Sequence, residues 1–245
     1  MDGTGGESLQ ELAWDSDHFG LKIGRAIGCS PDTPQRAAGW ALARDLDCVY
    51  LLADARDAET LRSAAAAGFR MVDIRVTLSA DVARLDDEAG IRVAVAGDIP
   101  TLSRLAAQSH RNSRFYADGK FPADRCDALF AAWMERSCID RDFAGVVFVA
   151  DVGGEPVAYI TCSNNLGVGY IGLIAVDESH RGRGLGGLLL KQAHAWFHRQ
   201  GASRVQVVTQ GANTTALRMY ERGGFYVDRV QLWFHWWRPD PDRAE

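Results

Sequence analysis

The sequence predicts a mixed α/β protein, and three observations lead there. Short β-branched runs alternate with amphipathic helical stretches along the chain. A glycine-rich loop joins one such run to the strongest helical stretch, Leu185–Arg199. A strand–helix–Gly-Phe–strand pattern also occurs twice, at an offset of 156 residues. At 245 residues, 47% hydrophobic and 24% charged, the chain can build one large domain or two small ones, and wholesale disorder is excluded.

Taken in order, the polar start Met1–Glu7 and the Pro-containing tail 239–245 are expected to be frayed. Residues 1–88 are expected to form a smaller N-terminal α/β domain. The acidic stretch Asp86-Asp87-Glu88-Ala89-Gly90, without apolar periodicity, is the expected join to a second domain over 89–238. There, Ile91–Val95 alternates like a strand, and Asp98 stands at an N-cap position before Leu102, Leu105 and Ala106. Ala123–Ser137 reads as a helix in which Leu129, Phe130, Trp133 and Met134 fall together. Val146–Val149 and Pro156–Thr161, separated by Gly153-Gly154, read as a hairpin. Tyr170–Val176 is an apolar strand and Leu185–Arg199 a helix with Leu185, Leu188, Leu189, Gln192 and Trp196 toward the core. Arg204–Val208 is a strand and Asn213–Arg222 a helix. Val230–Trp237 closes the chain as a strand with residues 230, 232, 234 and 236 on one face.

In the repeated pattern, Val49, Leu51 and Leu52 correspond to Val205, Val207 and Val208, and Gly68-Phe69 to Gly224-Phe225. The first copy has Asp57 where the second has Asn213, and Ala64 where the second has Tyr220. Any chemistry is therefore expected in the second copy, with the first as scaffold.

Composition narrows the function classes. Five scattered cysteines without a C-x-x-C pair argue against a disulfide framework and against zinc, and a reducing cytoplasmic setting is expected. No apolar run reaches the roughly 20 residues of a membrane helix, and no apolar leader is visible at the start. A net charge of −5 offers nucleic acid no global attraction. The expected partners are small molecules, with no nucleic acid and no membrane, and the chain is expected to be a monomer or homodimer. His194 and His198 have i, i+4 metal spacing, but helical geometry puts both on the solvent face, and no metal is expected.

The sharpest local feature is Arg181-Gly182-Arg183-Gly184-Leu185-Gly186-Gly187, between a strand and a helix. Its glycines let backbone N–H groups approach a ligand, and the helix N-terminus favours an anion. Three anion sites compete. Gly182–Gly187 spells G-x-G-x-x-G, but the turn is long for a dinucleotide fold, and Thr209-Gln210 follows the next strand where an acidic residue would be needed. A Walker loop fails for want of Gly-Lys-Ser/Thr. The third is the pyrophosphate loop of an acyl-coenzyme A enzyme.

Arg181–Gly187 followed by Asn213-x-x-Ala216-x-x-x-Tyr220-x-x-x-Gly224-Phe225 resembles the GCN5-related N-acetyltransferase (GNAT) superfamily over about residues 91–237. Trp14-Asp15…Phe19-Gly20, Ser113-Arg114-Phe115 and Thr209-Gln210…Asn213-Thr214 further resemble the TDP-fucosamine acetyltransferases, which acetylate the 4-amino group of a nucleotide-linked deoxysugar. The resemblance implies the GNAT fold, a mixed and mostly antiparallel sheet flanked by helices, preceded by a smaller N-terminal domain, which the offset of 156 makes a candidate degenerate half of the same fold. It implies acetyl-CoA as co-substrate and direct transfer to an amine in a ternary complex. Arg181, Gly182, Arg183, Gly184, Leu185, Gly186, Gly187 and Asn213 would hold the coenzyme, and Ile174 and Val176 would line the pantetheine and thioester through backbone atoms.

Tyr220, two helical turns after Asn213, is the candidate general acid for the leaving thiolate. Asn213 itself could also be only a helix cap. For the base, His110, Asp118, Asp177, Glu178 and a water chain stay open. His110, Arg111, Arg114 and Tyr116 are the expected substrate contacts, the arginines gripping a diphosphate and the aromatics stacking. Trp233, Trp236 and Trp237 are read mainly as core or interface, with a substrate wall as the alternative. Peptide and antibiotic acetyltransferases, and a non-catalytic acyl-CoA-binding module, are the rival readings.

Overall fold

The structure, a computed structural model, describes residues 8–27 and 30–239, so Met1–Glu7 and all but the first residue of the tail 239–245 expected to be frayed lie outside it. In chain order the elements are β1 (Ser8–Glu11), α1 (Ala13–Phe19), β2 (Ile23–Ile27), α2 (Thr33–Ala43), β3 (Cys48–Asp54), α3 (Ala58–Ala66) and β4 (Arg70–Asp81). Then come β5 (Ile91–Val93), α4 (Ile99–Ser109), α5 (Arg114–Asp118), α6 (Ala123–Ile139), β6 (Val146–Val152) and β7 (Glu155–Asn165). The chain continues through β8 (Val168–Val176), α7 (Leu185–Arg199), β9 (Arg204–Gln210), α8 (Thr214–Arg222) and β10 (Tyr226–Trp237). The helix over Leu185–Arg199 has the expected limits. Several strands run past their apolar stretches, because ladder pairing continues where the side chains turn polar, as at Ser163 and Asn164 of β7.

The chain forms two compact units, and neither is a continuous segment. The first comprises the residues up to Arg75, Ser113–Arg125 and those from Arg229 on; the second comprises Val76–Asn112 and Cys126–Asp228. A linear boundary at 88/89 does not describe this partition. The acidic stretch 86–90 is part of the second unit, where Gln192 accepts from the Glu88 amide at 2.7 Å and donates to Asp87 at 2.6 Å.

The first unit has strand order β1-β2-β3-β10. β2 and β3 are parallel, with Arg25 beside Tyr50, and β10 is antiparallel to β3, with Trp236 beside Val49 and His235 beside Tyr50. Val49, Leu51, Ala53, Phe234 and Trp236 face one way, into a core with Ala37 and Ala41 of α2 and Ala64 of α3. The opposite face carries Tyr50 and His235 under an aromatic cluster of Phe19, Phe115 and Phe121.

The second unit has strand order β4-β9-β8-β7-β6-β5. β8 and β9 are parallel, and the pairs β8–β7, β7–β6 and β6–β5 are antiparallel. Leu189, Leu190, Ala193 and Phe197 of α7 pack on one face with Ile160, Ile171, Val205 and Val207. This corrects part of the expected helix face. Leu189 and Gln192 are buried as expected, with Leu185 and Trp196 packed against the core cluster, but the buried stripe also takes in Gly186, Leu190, Ala193 and Phe197. It also corrects His194, which is buried rather than solvated. Its Nδ1 accepts from the Ala83 amide at 3.1 Å, because the segment after β4 covers that flank of α7. His198 is exposed, as expected.

The offset of 156 is reproduced bond for bond. Asp57 and Asn213 each cap the following helix, accepting from the amides of Thr60 (3.0 Å) and Ala216 (3.2 Å). Phe69 donates to Ala64 at 2.9 Å, and Phe225 to Tyr220 at 3.0 Å. Gly68 and Gly224 both have φ of +83°. The correspondence extends upstream, where Leu46 donates to Ala41 and Ala202 to Phe197, with Asp45 and Gly201 both at positive φ. The two copies share one turn chemistry, and only the second has a tyrosine where the first has Ala64. Asn213→Ala is expected to lower stability by about 1 kcal/mol, the usual worth of an N-cap. Urea unfolding checks this; an unchanged midpoint would mean that the cap bond contributes nothing.

Candidate active site

The second unit gathers three of the expected features. The first is the glycine loop. Gly184 is the N-cap of α7 with φ of +80°, and Gly182 has φ of +76°, both left-handed conformations that favour glycine. A Cβ added at Gly182, Gly184 or Gly187 would meet no atom within 4 Å, so the loop borders open space. The amides of Gly182 to Gly186 donate to no backbone carbonyl among the described residues, while Gly187 and Leu188 already bond to Gly184. Unpaired donors at the start of a 15-residue helix make a seat for an anion. Arg181 and Arg183 are exposed, their side chains held loosely on the carbonyls of Val176 and Ser179 at 3.3 Å. Leu185 is partly buried against the core cluster. Gly186 differs from its neighbours, since a Cβ there would sit 2.5 Å from Met219 Sδ.

The second feature is a splay between β8 and β9. Their pairing runs from Val168–Arg204 to Ile171–Val207 and stops. The same point carries a register shift against β7, where Ile160 pairs with Ile174 but Cys162 with Ile171. Thr161 thus faces both Gly172 and Leu173, and its Oγ1 accepts from the Leu173 amide at 2.8 Å. A Cβ on Gly172 would come within 2.7 Å of that oxygen, which accounts for the glycine. This bulge was not expected from the sequence; Gly172 within an apolar strand was its signal.

Past the bulge, Asp177 donates its amide to Val157 of β7. Backbone groups alternate between the two edges of a strand. The amides and carbonyls of Ile174 and Val176 therefore point away from β7, toward the edge that β9 has left. Their side chains pack against the core.

The third feature is Tyr220 on α8. Its ring is buried in the cluster that contains Ile171 and Val207, the last pair before the splay, with Ile174 and Val176 packed against it. Burial pushes its phenol well above the ordinary tyrosine range.

The substrate-side residues divide between the two units. His110 and Arg111 fall in the second unit, Arg114 and Tyr116 in the first. His110 stacks on Phe130 at 4.8 Å and shares a 2.9 Å hydrogen bond with Tyr159, whose strand partner is Ala175. Burial lowers this histidine to about 4, so its ring is neutral. Arg111 is exposed, with Asp127 at 3.8 Å. Arg114 is instead enclosed, its guanidinium carbon 4.1 Å from the rings of Tyr50 and Phe115 and 4.4 Å from Trp233. Tyr116 is partly buried on α5.

Among the open candidates for the base, Asp118 accepts from His235 and from Trp237 at 2.9 Å. Asp177 caps a turn by accepting from Ser179, which holds its carboxyl below the usual range. Glu178 is exposed. Of these residues, His110 alone has its ring at the β7–β8 pair beside the splay.

The description "Acetyltransferase (GNAT) family" belongs to the family model that matches residues 107–225. A dTDP-fucosamine acetyltransferase of Escherichia coli is 28% identical over 232 residues, covering 93% of this chain and 97% of the relative. The spore coat polysaccharide biosynthesis protein SpsD of Bacillus subtilis is 28% identical over 141 residues, 58% of this chain and 48% of that protein. Among solved structures, a GCN5-related N-acetyltransferase from Sphaerobacter thermophilus superposes with a TM-score of 0.66 at 17% identity, covering 96% of this chain and 78% of that one.

Proposed function

We propose that this chain, which belongs to the acetyltransferase (GNAT) family and is an N-acetyltransferase, uses acetyl-CoA to acetylate the amine of a nucleotide-linked amino-deoxysugar. The observation that carries the acetyl-CoA reading is the row of unpaired loop amides facing open space at the α7 N-terminus, next to the splayed β8. The sugar reading is supported by the relatives, of which the dTDP-fucosamine enzyme matches along nearly the whole chain. The reducing cytoplasm is the proposed setting, in keeping with the free thiols of Cys48, Cys138 and Cys162.

Acetyl-CoA would supply an acyl group already activated as a thioester. The residues do the rest by position. The amides of Gly182 to Gly186 receive the diphosphate at the positive end of α7, and Arg181 and Arg183 add charge at the rim. The open backbone edge at Ile174 and Val176 pairs with the pantetheine amides and donates to the thioester carbonyl as its oxygen gains charge. Tyr220 gives its proton to the departing sulfur. Asn213, by capping α8, holds that helix start in register. No residue carries the acyl group, so the neutral amine attacks the thioester directly, the C–N bond forms as the C–S bond breaks, and the amine's surplus proton leaves through water.

The test is turnover with TDP- and UDP-linked amino sugars, the matching free amino sugars and a peptide amine. The expected result is a kcat/KM for one linked sugar far above that for its free form. Equal or better turnover of the free sugar or the peptide overturns the nucleotide assignment.

A further inference from the structure

One face of the first unit assembles charged groups that do not pair with one another. Arg25 of β2 and Arg114 of α5 both converge on the indole of Trp233, at 5.9 and 4.4 Å from the ring centroid. Neither has a carboxylate within ion-pair distance among the described residues. The Nε of Arg25 is buried without a hydrogen-bond partner, and so is the hydroxyl of Tyr50, whose ring lies against Arg114 and is 1% exposed. Asp15 and Asp73 sense the Arg114 charge, but burial dominates and raises both carboxyls, Asp73 to about 6.

Arg114 is held in one orientation from behind. Its Nη1 donates to His235 Nε2 at 2.9 Å. That bond requires the His235 proton on Nδ1, which donates to Asp118, itself fixed by Trp237 Nε1 at 2.9 Å. Burial lowers His235 to about 4, so the ring stays neutral and keeps its acceptor. One arm of the guanidinium fork is thereby anchored while its other donors remain for a ligand. Enclosing a cation without a partner is costly, and the cost is recovered when an anion binds. Forked donors suit phosphoryl oxygens in particular.

We propose that this face is a diphosphate-binding site, with Arg25 and Arg114 taking the phosphoryl oxygens beside the Trp233 wall, and with His235 and Asp118 as positioning residues. The proposal rests on the reading of a nucleotide-linked substrate, and assigns where that substrate's diphosphate is held.

The experiment is calorimetry on the full chain with TDP and inorganic pyrophosphate as probes. TDP is expected to bind the wild type, and Arg114→Ala and Arg25→Ala are each expected to weaken it about 10- to 100-fold, as for the loss of a charge-assisted hydrogen bond. Arg114→Lys keeps the charge without the fork, and is expected to recover part of the loss and to guard against misfolding of the alanine variant. Asp73→Asn, which removes a negative charge near Arg114, is expected to tighten TDP. Acetyl-CoA affinity is expected to be unchanged throughout. The proposal is overturned if the wild type binds neither probe, or if folded Arg114→Ala binds TDP like the wild type. It is also overturned if saturating acetyl-CoA displaces TDP, because the diphosphate would then be the coenzyme's. Free amino sugars outperforming linked ones while TDP still binds through Arg114 would defeat the substrate reading and leave this site standing.

Discussion

Tyr220→Phe is expected to lower kcat by roughly 10²–10⁴-fold, the range of general acid catalysis, with acetyl-CoA affinity nearly unchanged. The phenol sits two turns along α8 from its Asn213 cap, inside the cluster that also holds the last β8–β9 pair. Phenylalanine fills the same space, so packing against Phe225 at 5.5 Å is retained and the variant stays folded. Only the proton is removed. Burial raises the phenol, so the acid stays protonated through neutral and moderately alkaline pH. A thiolate leaving into the same apolar surroundings is raised as well, as burial raises the thiol of Cys162 in this unit. Donor and acceptor therefore shift in the same direction, which keeps the transfer feasible. Loss of activity on raising pH is accordingly not expected from Tyr220 below the ordinary tyrosine range of about 10. Full turnover by Tyr220→Phe at saturating substrate would reduce the residue to packing.

The second large effect is expected at the loop. Gly187→Asp adds a carboxylate in the first turn of α7, where nothing lies within 4 Å and where helix polarity stabilises a negative charge by about 0.3–1 kcal/mol. The fold is thus kept or strengthened while the seat of the anion becomes repulsive. Acetyl-CoA affinity is expected to fall on the order of 100-fold or more, the size of losing one or two charge-assisted hydrogen bonds. Gly186 is a poorer probe because a larger side chain strikes Met219, and Gly184 is poorer because its φ of +80° strains any other residue. Calorimetry with circular dichroism as the folding control decides the matter. Unchanged affinity in a folded Gly187→Asp protein would remove the loop from the coenzyme site.

What the sequence made legible was local chemistry. The glycine loop, the limits of α7 and the doubled strand–helix–Gly-Phe pattern are each written in a few adjacent residues. Asn213 as a helix cap and the correspondence of Gly68-Phe69 with Gly224-Phe225 are examples. What remained illegible was pairing over long separations. Nothing near Trp236 specifies that its neighbour is Val49, so the two units could not be drawn from composition shifts. Arg111 and Arg114 are three residues apart, yet the unit boundary passes between them. Size misled as well. Reading the bulkiest residues of α7 as its core face overlooked Gly186 and Ala193, which are buried beside Leu189 and Leu190, and so left His194 on the wrong side. Arg25 was overlooked inside Ile-Gly-Arg-Ala-Ile, where a charge within a buried strand was itself the signal.

Amide hydrogen exchange with and without acetyl-CoA tests the central claim most directly, because the claim is made of backbone N–H groups. Added acetyl-CoA is expected to slow exchange at Gly182 to Gly186 and at Ile174 and Val176, the donors left open by the loop and by the splay. Thr60 and its neighbours in the first copy are expected to exchange at the same rate in both conditions. Slowed exchange in the Asp57–Thr60 turn with an unaffected Gly182–Gly186 loop would contradict the account.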